Sequence, residues 1–508
     1  MKKTIVSVLA LLLAVILAVV FLRPGKEDAS VQYANVTYDV DYAELNNPAM
    51  MEASCRYHLF YVPEEDGGYQ PFVGDPMPYY EDGVYYIYYL KEGGDSFHHS
   101  VYLATTEDFV HYKEYDAPVL EAEEGKQDAW IGTGSLVKIK DTYYLFYTGH
   151  SNGNTEYKET IMAAKGDTPF AFEKIEGWEI VPPPEIKQKT DFRDPQVYYD
   201  AEKDLMDITV TASVSGVAKL HHFTLSPDLS EAVYQGEILA DPLEAFWNLE
   251  CSDTFRLGGR WYITYSGQDD TLWYASSDQR YGPYDVPRRI DDKLFYAAKH
   301  VEDGSGHSYM VGWLRRSDTP FSTDEVSAWA GNLMVQELHA AADGSLYLSV
   351  PDGIRNLFAD RRPLLSRSSV TFKEADAMKQ SELTAAYERY MITGSFTYTS
   401  GGEFGLIIHS DGDQEEQKVI AVSPSDSYIR FDLSGGDVPI TGTQAELKEG
   451  ETYTFTYIQE GSCGAFYVDG ISSLAVRVYG TGGKKVSLYA DHAAVTFNDL
   501  AVYTAGIE

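Results

Sequence analysis

Between Tyr57 and about Val350 the chain repeats one local pattern: a strand-length run of aromatic and β-branched residues, then a turn built from Gly, Asp or Asn. Val84–Leu90 (VYYIYYL), Thr142–Thr148 (TYYLFYT), Leu205–Ala212 (LMDITVTA), Arg260–Ser266 (RWYITYS) and Ser308–Leu314 (SYMVGWL) are examples. β-Branched and aromatic side chains fit a pleated, half-buried surface, while Gly and Asp supply the turn conformations between strands. The region carries no long amphipathic helix pattern, so the chain is confined to all-β architectures. The module recurs: Asp82-Gly83 precedes VYYIYYL, Asp141 precedes TYYLFYT and Gly258-Gly259 precedes RWYITYS. Repeated antiparallel units of this kind predict a β-propeller, although so weak a repeat does not fix the blade count.

A length of 508 residues exceeds one ordinary domain. Arg355 to about Ala377 reads as a connector, after which a second strand series runs from Gly394–Tyr398 to Ala494–Tyr503. Its alternation and roughly ten-residue spacing predict a β-sandwich. The expected division is 1–30 (apolar leader and stalk), 31–56 (lead-in), 57–355 (propeller) and 356–508 (connector and sandwich).

Lys2 and Lys3 precede the apolar run Thr4–Leu22, which Arg23-Pro24-Gly25 ends. At about 1.5 Å per residue the run spans about 28 Å, close to the hydrocarbon thickness of a bilayer. It is longer than the apolar part of a cleaved signal, and no small-x-small site follows it. The expectation is an uncleaved signal anchor that holds the body on the extracellular face of the membrane. A cleaved signal peptide and secretion is the alternative. Cys55, Cys251 and Cys463 are odd in number and widely spaced, so they form neither a disulfide framework nor a metal site.

The net charge is −38, which repels phosphate backbones and argues against nucleic acid as a partner. A neutral polysaccharide is not repelled. The twelve His show no ligand spacing, so no metal is expected. Three acids stand out: Asp75 in Gly74-Asp75-Pro76, Asp194 in Arg193-Asp194-Pro195, and Glu250 before Cys251. An isolated Asp-Pro is usually a turn. Glu250, however, lies between Leu249 and Cys251, where a buried carboxylate is costly unless partnered. Three separated acids able to converge suggest glycoside chemistry, with one carboxylate as nucleophile or base and one protonated carboxyl as acid.

In order and context these motifs resemble glycoside hydrolase family 32, the β-fructosidases (invertase, levanase, inulinase). Tyr57-His58-Leu59-Phe60 is similar to the family's Y-H-F opening. Gly74-Asp75-Pro76-Met77-Pro78 is similar to N-D-P-N-G, with Gly74 and Met77 where the family has Asn. Gly132-Thr133-Gly134-Ser135 resembles F-S-G-S, with Asp128 and Trp130 just upstream. Arg193-Asp194-Pro195 matches R-D-P unchanged, and Glu250-Cys251-Ser252-Asp253 resembles E-C-P-D. Gly312-Trp313 and Phe466–Gly470 resemble later segments, so the resemblance spans about 57–508.

The resemblance implies a five-bladed propeller followed by a sandwich. It implies an exported hydrolase that cleaves β-fructofuranosidic bonds of a fructose-containing oligo- or polysaccharide, with retention and without a cofactor. Asp75 takes the role of nucleophile, Glu250 that of acid/base, and Asp194, held by Arg193, that of transition-state stabiliser. Arg193, Asp128, Trp130, Thr133, Cys251 and Trp313 are the expected substrate contacts. The roles require Asp75 ionised and Glu250 protonated, with the negative charge of Asp75 and Asp194 raising Glu250. Two other readings stay open. GDPMPYYEDGVYYIYYL also resembles the opening of family 43, arabinan and xylan glycosidases that act by inversion. Gly74 and Met77 suggest a catalytically silent surface glycan-binding propeller.

Overall fold

The computed structural model describes residues 53–505, apart from 66, 93–98, 154, 187–189, 243, 318–327, 360, 374–376, 411–416, 434–439 and 480–483. The apolar run Thr4–Leu22, and with it the expected membrane anchor, lies outside the described residues. No helix among the described residues is long and apolar enough to cross a membrane. The chain is all-β there, apart from one α-helix, Asp352–Ala359, and a 3-10 turn, Pro424–Asp426.

Five strands open successive antiparallel runs: Phe72–Glu81, Trp130–Ile139, Arg193–Asp200, Glu250–Leu257 and Phe295–Glu302. They are called the lead strands below. The second, third and fourth each begin a four-stranded sheet whose strands pair in sequence order. The runs begun by the first and fifth are bridged by the single pair Val73–Gly331 into one nine-stranded sheet. Each lead strand lies against the next, and the fifth lies against the first.

The tyrosine-rich strands are explained by burial on both faces. In Val84–Glu92, Tyr88 and Leu90 point into one core cluster while Tyr85, Ile87 and Tyr89 point into another. Successive strand side chains alternate faces, so each such sheet is packed between two neighbours and reads as nearly continuous apolar sequence. The phenol ends find partners: the Tyr88 hydroxyl donates to the Pro169 carbonyl at 2.6 Å.

Beyond the helix, two six-stranded sheets share one core, to which Ile392 and Phe396 contribute from one sheet and Phe404 and Leu406 from the other. The stretch read as a connector is itself structured. It carries the helix and the strand Leu365–Phe372, which pairs along Ala494–Thr504 as an edge of the first of these sheets. Polar side chains join this part to the lead-strand part. The Glu460 carboxylate accepts the Leu59 and Phe60 N–H groups at 2.8 and 3.0 Å. Arg477 donates to the carbonyls of Leu314 and Arg315 at 2.8 and 2.9 Å. Buried Asp291 and Asp292 accept from Ser473 at 3.0 Å and Thr441 at 2.8 Å.

Candidate active site

Each lead strand breaks register once near its start, between Gly74 and Met77, Gly132 and Gly134, Arg193 and Gln196, Glu250 and Asp253, and Tyr296 and Lys299. In each case the lead strand has one residue more than its partner, a β-bulge. Bulges take side chains out of the strict alternation of a strand and re-aim them. Four of the bulges hold a non-glycine residue at positive φ: Asp75 (42°), Asp194 (61°), Cys251 (50°) and Ala297 (52°). That conformation costs an L-residue about 1–2 kcal/mol. Pro76 and Pro195 follow directly; proline, which lacks an N–H, is tolerated in a sheet at a bulge.

The bulges bring the three acids together. Asp194 is buried, and its Oδ2 accepts the Cys251 N–H at 2.6 Å. Its own N–H donates to Thr148 Oγ1 at 2.9 Å, and that hydroxyl donates to the Thr133 carbonyl at 3.1 Å. Asp75 Oδ1 accepts the Trp313 indole N–H at 3.3 Å. Glu250 Oε1 accepts from Arg193 Nη2 at 2.8 Å, and Oε2 from the Tyr296 hydroxyl at 2.5 Å. The residues just before the bulge on three consecutive lead strands, Arg193, Glu250 and Tyr296, thus form one hydrogen-bonded chain.

The resemblance assigns Arg193 to Asp194. The guanidinium instead bonds Glu250, Glu159 at 3.0 Å and Asp191 at 3.3 Å, and reaches Asp194 only through its charge. Neighbouring side chains on a strand diverge, so adjacency in sequence separates this pair.

The electrostatics also differ from the expected tuning. Burial pushes the Asp75 carboxyl up to about 7; the charges of Asp194 and Glu250 add to this, while Trp313 and Lys299 oppose it. Burial likewise lifts Asp194 to about 6, against the pull of Arg193 and the Cys251 N–H. Asp75, expected to be ionised, is therefore the carboxyl lifted to near neutrality, and Glu250 is the one that carries an ion pair. Lys299, 1% exposed, is a fixed cation that both aspartates feel. It donates to the Gly134 carbonyl at 2.7 Å and to Gln196 Oε1 at 3.1 Å, spanning the second, third and fifth lead strands. The Cys251 thiol is pushed up by burial and the neighbouring acids.

Aromatic rings wall the site. Trp313 meets Tyr296 edge-on at 5.5 Å and Trp329 at 6.5 Å. Trp329 stacks on His99 at 4.3 Å and covers Gly74 so closely that a Cβ there would stand 2.3 Å from its ring. Trp130 stacks on His150 at 5.0 Å, and His150 touches Glu159 at 3.3 Å. Asp128 is drawn elsewhere: its carboxylate pairs with Lys174 at 2.6 Å and accepts from Tyr147 at 3.1 Å. Thr133 is buried and acts through its carbonyl. Glu159, Tyr296, Lys299 and Trp329 were not among the site residues expected from the sequence.

Three carboxylates in unlike surroundings, gathered at one place on an all-β frame, are the equipment of a glycoside hydrolase. The model of the glycosyl hydrolases family 32 N-terminal domain matches residues 70–349, which contain all three acids. The chain belongs to that family and is a glycosidase. No curated protein sequence matches it. Similar solved structures include sucrose-6-phosphate hydrolase from Lactobacillus gasseri, at 17% identity and a TM-score of 0.69, covering 92% of this chain and 95% of that one. Exo-inulinase from Aspergillus awamori is similar at 14% identity and a TM-score of 0.70, with 89% and 98% covered. A GH32 beta-fructofuranosidase from Bombyx mori is similar at 17% identity and a TM-score of 0.67, with 89% and 94% covered.

Proposed function

We propose that this glycosidase hydrolyses β-fructofuranosidic bonds in sucrose, fructo-oligosaccharide, inulin or levan, with retention of configuration through a covalent fructosyl-enzyme. The observation that carries the reading is the convergence of Asp75, Asp194 and Glu250 through equivalent bulges on three lead strands. Family membership and the activities that name the similar structures support a fructoside as substrate. Asp75 attacks the anomeric C2 of the fructosyl unit. Glu250 protonates the departing oxygen, then takes a proton from the incoming water. Asp194 binds sugar hydroxyls and stabilises the oxocarbenium-like transition state. Asp75 attacks as the carboxylate, so the proton that burial favours on it must leave before the first step. Arg193 and Tyr296 fix the Glu250 carboxylate between them.

We read the frame as a five-bladed propeller over about 57–355 and a sandwich over 356–508. The cyclic contact of the five lead strands supports the first, and the shared core of the two six-stranded sheets supports the second. Trp130, Thr133, Cys251 and Trp313 belong to the sugar site or its support. The apolar run Thr4–Leu22 holds the body at the extracellular face of the membrane; a mature N-terminus just after Leu22 would refute the anchor.

The test is product analysis with sucrose, inulin and levan, on the parent protein and on Asp75→Asn and Glu250→Gln. Fructose is expected from the parent. Activated leaving groups should rescue the first step in Glu250→Gln but not in Asp75→Asn. Release of arabinose or xylose from aryl glycosides, with no fructose from any fructoside, would sink the proposal.

A further inference from the structure

The strand Ser308–Arg316 pairs with the fifth lead strand and sets Trp313 opposite Tyr296. Opposite residues of an antiparallel pair share a face, and so do residues two apart on one strand. Arg315 therefore stands on the same side as both rings. Its guanidinium lies 5.1 Å from the centre of Tyr296 and 5.6 Å from that of Trp313. Both distances are within the about 6 Å over which the face of an aromatic ring attracts a cation. The two rings meet edge-on, so one guanidinium bears on a pair that already braces itself.

These rings are the donors to two of the three acids. The Tyr296 hydroxyl donates to Glu250 Oε2, and the Trp313 indole N–H donates to Asp75 Oδ1. Each donor atom lies at the edge of its ring, so a tilt of the ring bends the hydrogen bond, which weakens steeply with angle. The cation also acts on the donor itself. Burial and the Glu250 charge push the Tyr296 hydroxyl up, and the Arg315 charge opposes them.

Arg315 is held from three sides. Its N–H donates to the Leu294 carbonyl at 2.9 Å, and its own carbonyl accepts from Arg477 Nε at 2.9 Å. Its Nη1 donates to Asp270 Oδ1 at 2.6 Å, in a turn closed by the Gly267 N–H on the Thr271 carbonyl at 3.0 Å. The Asp270 side chain is 44% exposed, so this ion pair contributes little to stability. Arg315 is itself only 9% exposed, which leaves it to act through its neighbours and not on a substrate.

We infer that Arg315 is a positioning residue, which holds Tyr296 and Trp313 as a pair and thereby sets the donors of Glu250 and Asp75 with one side chain. The inference rests on the roles proposed above for those two acids.

The test is a double-mutant cycle of Arg315→Met with Tyr296→Phe, in which kcat and KM are measured separately. The substrate is whichever glycoside the parent cleaves, a fructoside or an aryl arabinoside or xyloside. Arg315→Met keeps the length of the side chain and removes its charge. It should lower kcat about tenfold, with KM within about twofold and the melting temperature within about 3 °C of the parent. In Tyr296→Phe, which has already lost the hydroxyl, the same substitution should cost no more than about threefold, the part that acts through Trp313. Arg315→Lys returns a cation to the rings and should bring kcat to within about threefold of the parent. Should Arg315→Met fail to fold, Arg315→Lys carries the cycle, with about a threefold loss expected in the parent and under about twofold in Tyr296→Phe. Equal costs in the two backgrounds, a loss under about twofold in the parent, or a lysine variant no better than the methionine one would overturn the inference. If another glycoside is cleaved and no fructoside is, the substrate reading fails while the cycle still decides the role of Arg315.

Discussion

Two groups of buried carboxylates, built from the same residue types, do opposite things in this molecule. Burial lifts Asp75 in the pocket and Asp291 at the junction with the C-terminal sheets to the same value, about 7. Their neighbours differ. Asp291 accepts from Asp292 N–H at 2.7 Å, Ser473 at 3.0 Å, Gln336 at 3.3 Å and Ala475 N–H at 3.4 Å, all neutral donors. Asp75 has the Trp313 indole as donor and two further acids, Asp194 and Glu250, within electrostatic reach. One carboxyl is locked into a junction by neutral donors, while burial of the other is reinforced by the charges of two neighbouring acids. A raised pKa is thus no mark of function on its own; the company of the group decides.

The sharpest way to break this comparison is Asp75→Asn. Turnover should fall at least about a thousandfold, because the amide cannot act as nucleophile. The melting temperature should stay level or rise, because a charge that repels Asp194 and Glu250 is gone. An active variant, or one that unfolds, would put Asp75 in the structural class with Asp291.

Asp291→Ala should do the reverse. It strands the donors of Ser473, Gln336 and Ala475, and should cost about 3 kcal/mol in a urea titration while leaving kcat of the folded fraction unchanged. A selective loss of kcat would show that the junction acts on the pocket. Smaller again is Tyr296→Phe, which removes the hydroxyl on Glu250 Oε2. About a tenfold loss in kcat/KM is expected, with a displaced limb in the pH–rate profile and a normal melting temperature. An unchanged profile would remove Tyr296 from the Glu250 chain.

A last contrast concerns pH. Asp75, Asp194 and Asp291 all titrate higher in the fold, at about 7, 6 and 7, than in the unfolded chain. The folded state therefore binds more protons, and the stability these groups contribute is full below about pH 4 and lost as pH rises through about 7. The melting temperature should decline across that window, less steeply in Asp291→Asn. A slope that Asp291→Asn leaves untouched would assign the whole effect to the pocket.

What the sequence revealed followed the range of its signals. The strands were legible because alternation and turn residues act locally. Asp75, Asp194 and Glu250 were legible because each sits in a short motif that makes its own bulge. Tyr296 was not, since it is one of 40 tyrosines and its hydroxyl meets Glu250 only when two strands far apart in sequence come together. Lys299 and Glu159 work across sheets in the same way. The place of Trp329 at the site emerges only from the fold, where its ring covers Gly74. Asp128 was read from its nearness to Thr133 along the chain, but Lys174 and Tyr147 hold its carboxylate.

The bulges carry a consequence for how such a protein can change. The register break sets one extra residue on each lead strand outside the regular ladder, so that position can be exchanged with little penalty to sheet pairing. Three of the five sockets hold uncharged side chains, Thr133 on the second lead strand, Cys251 on the fourth and Ala297 on the fifth. Ala297 already adopts the left-handed backbone of Asp75 and Asp194, at φ 52°. The frame thus has at Ala297 a seat of the same backbone geometry, where new chemistry can be installed by a single codon change while the β scaffold stays as it is.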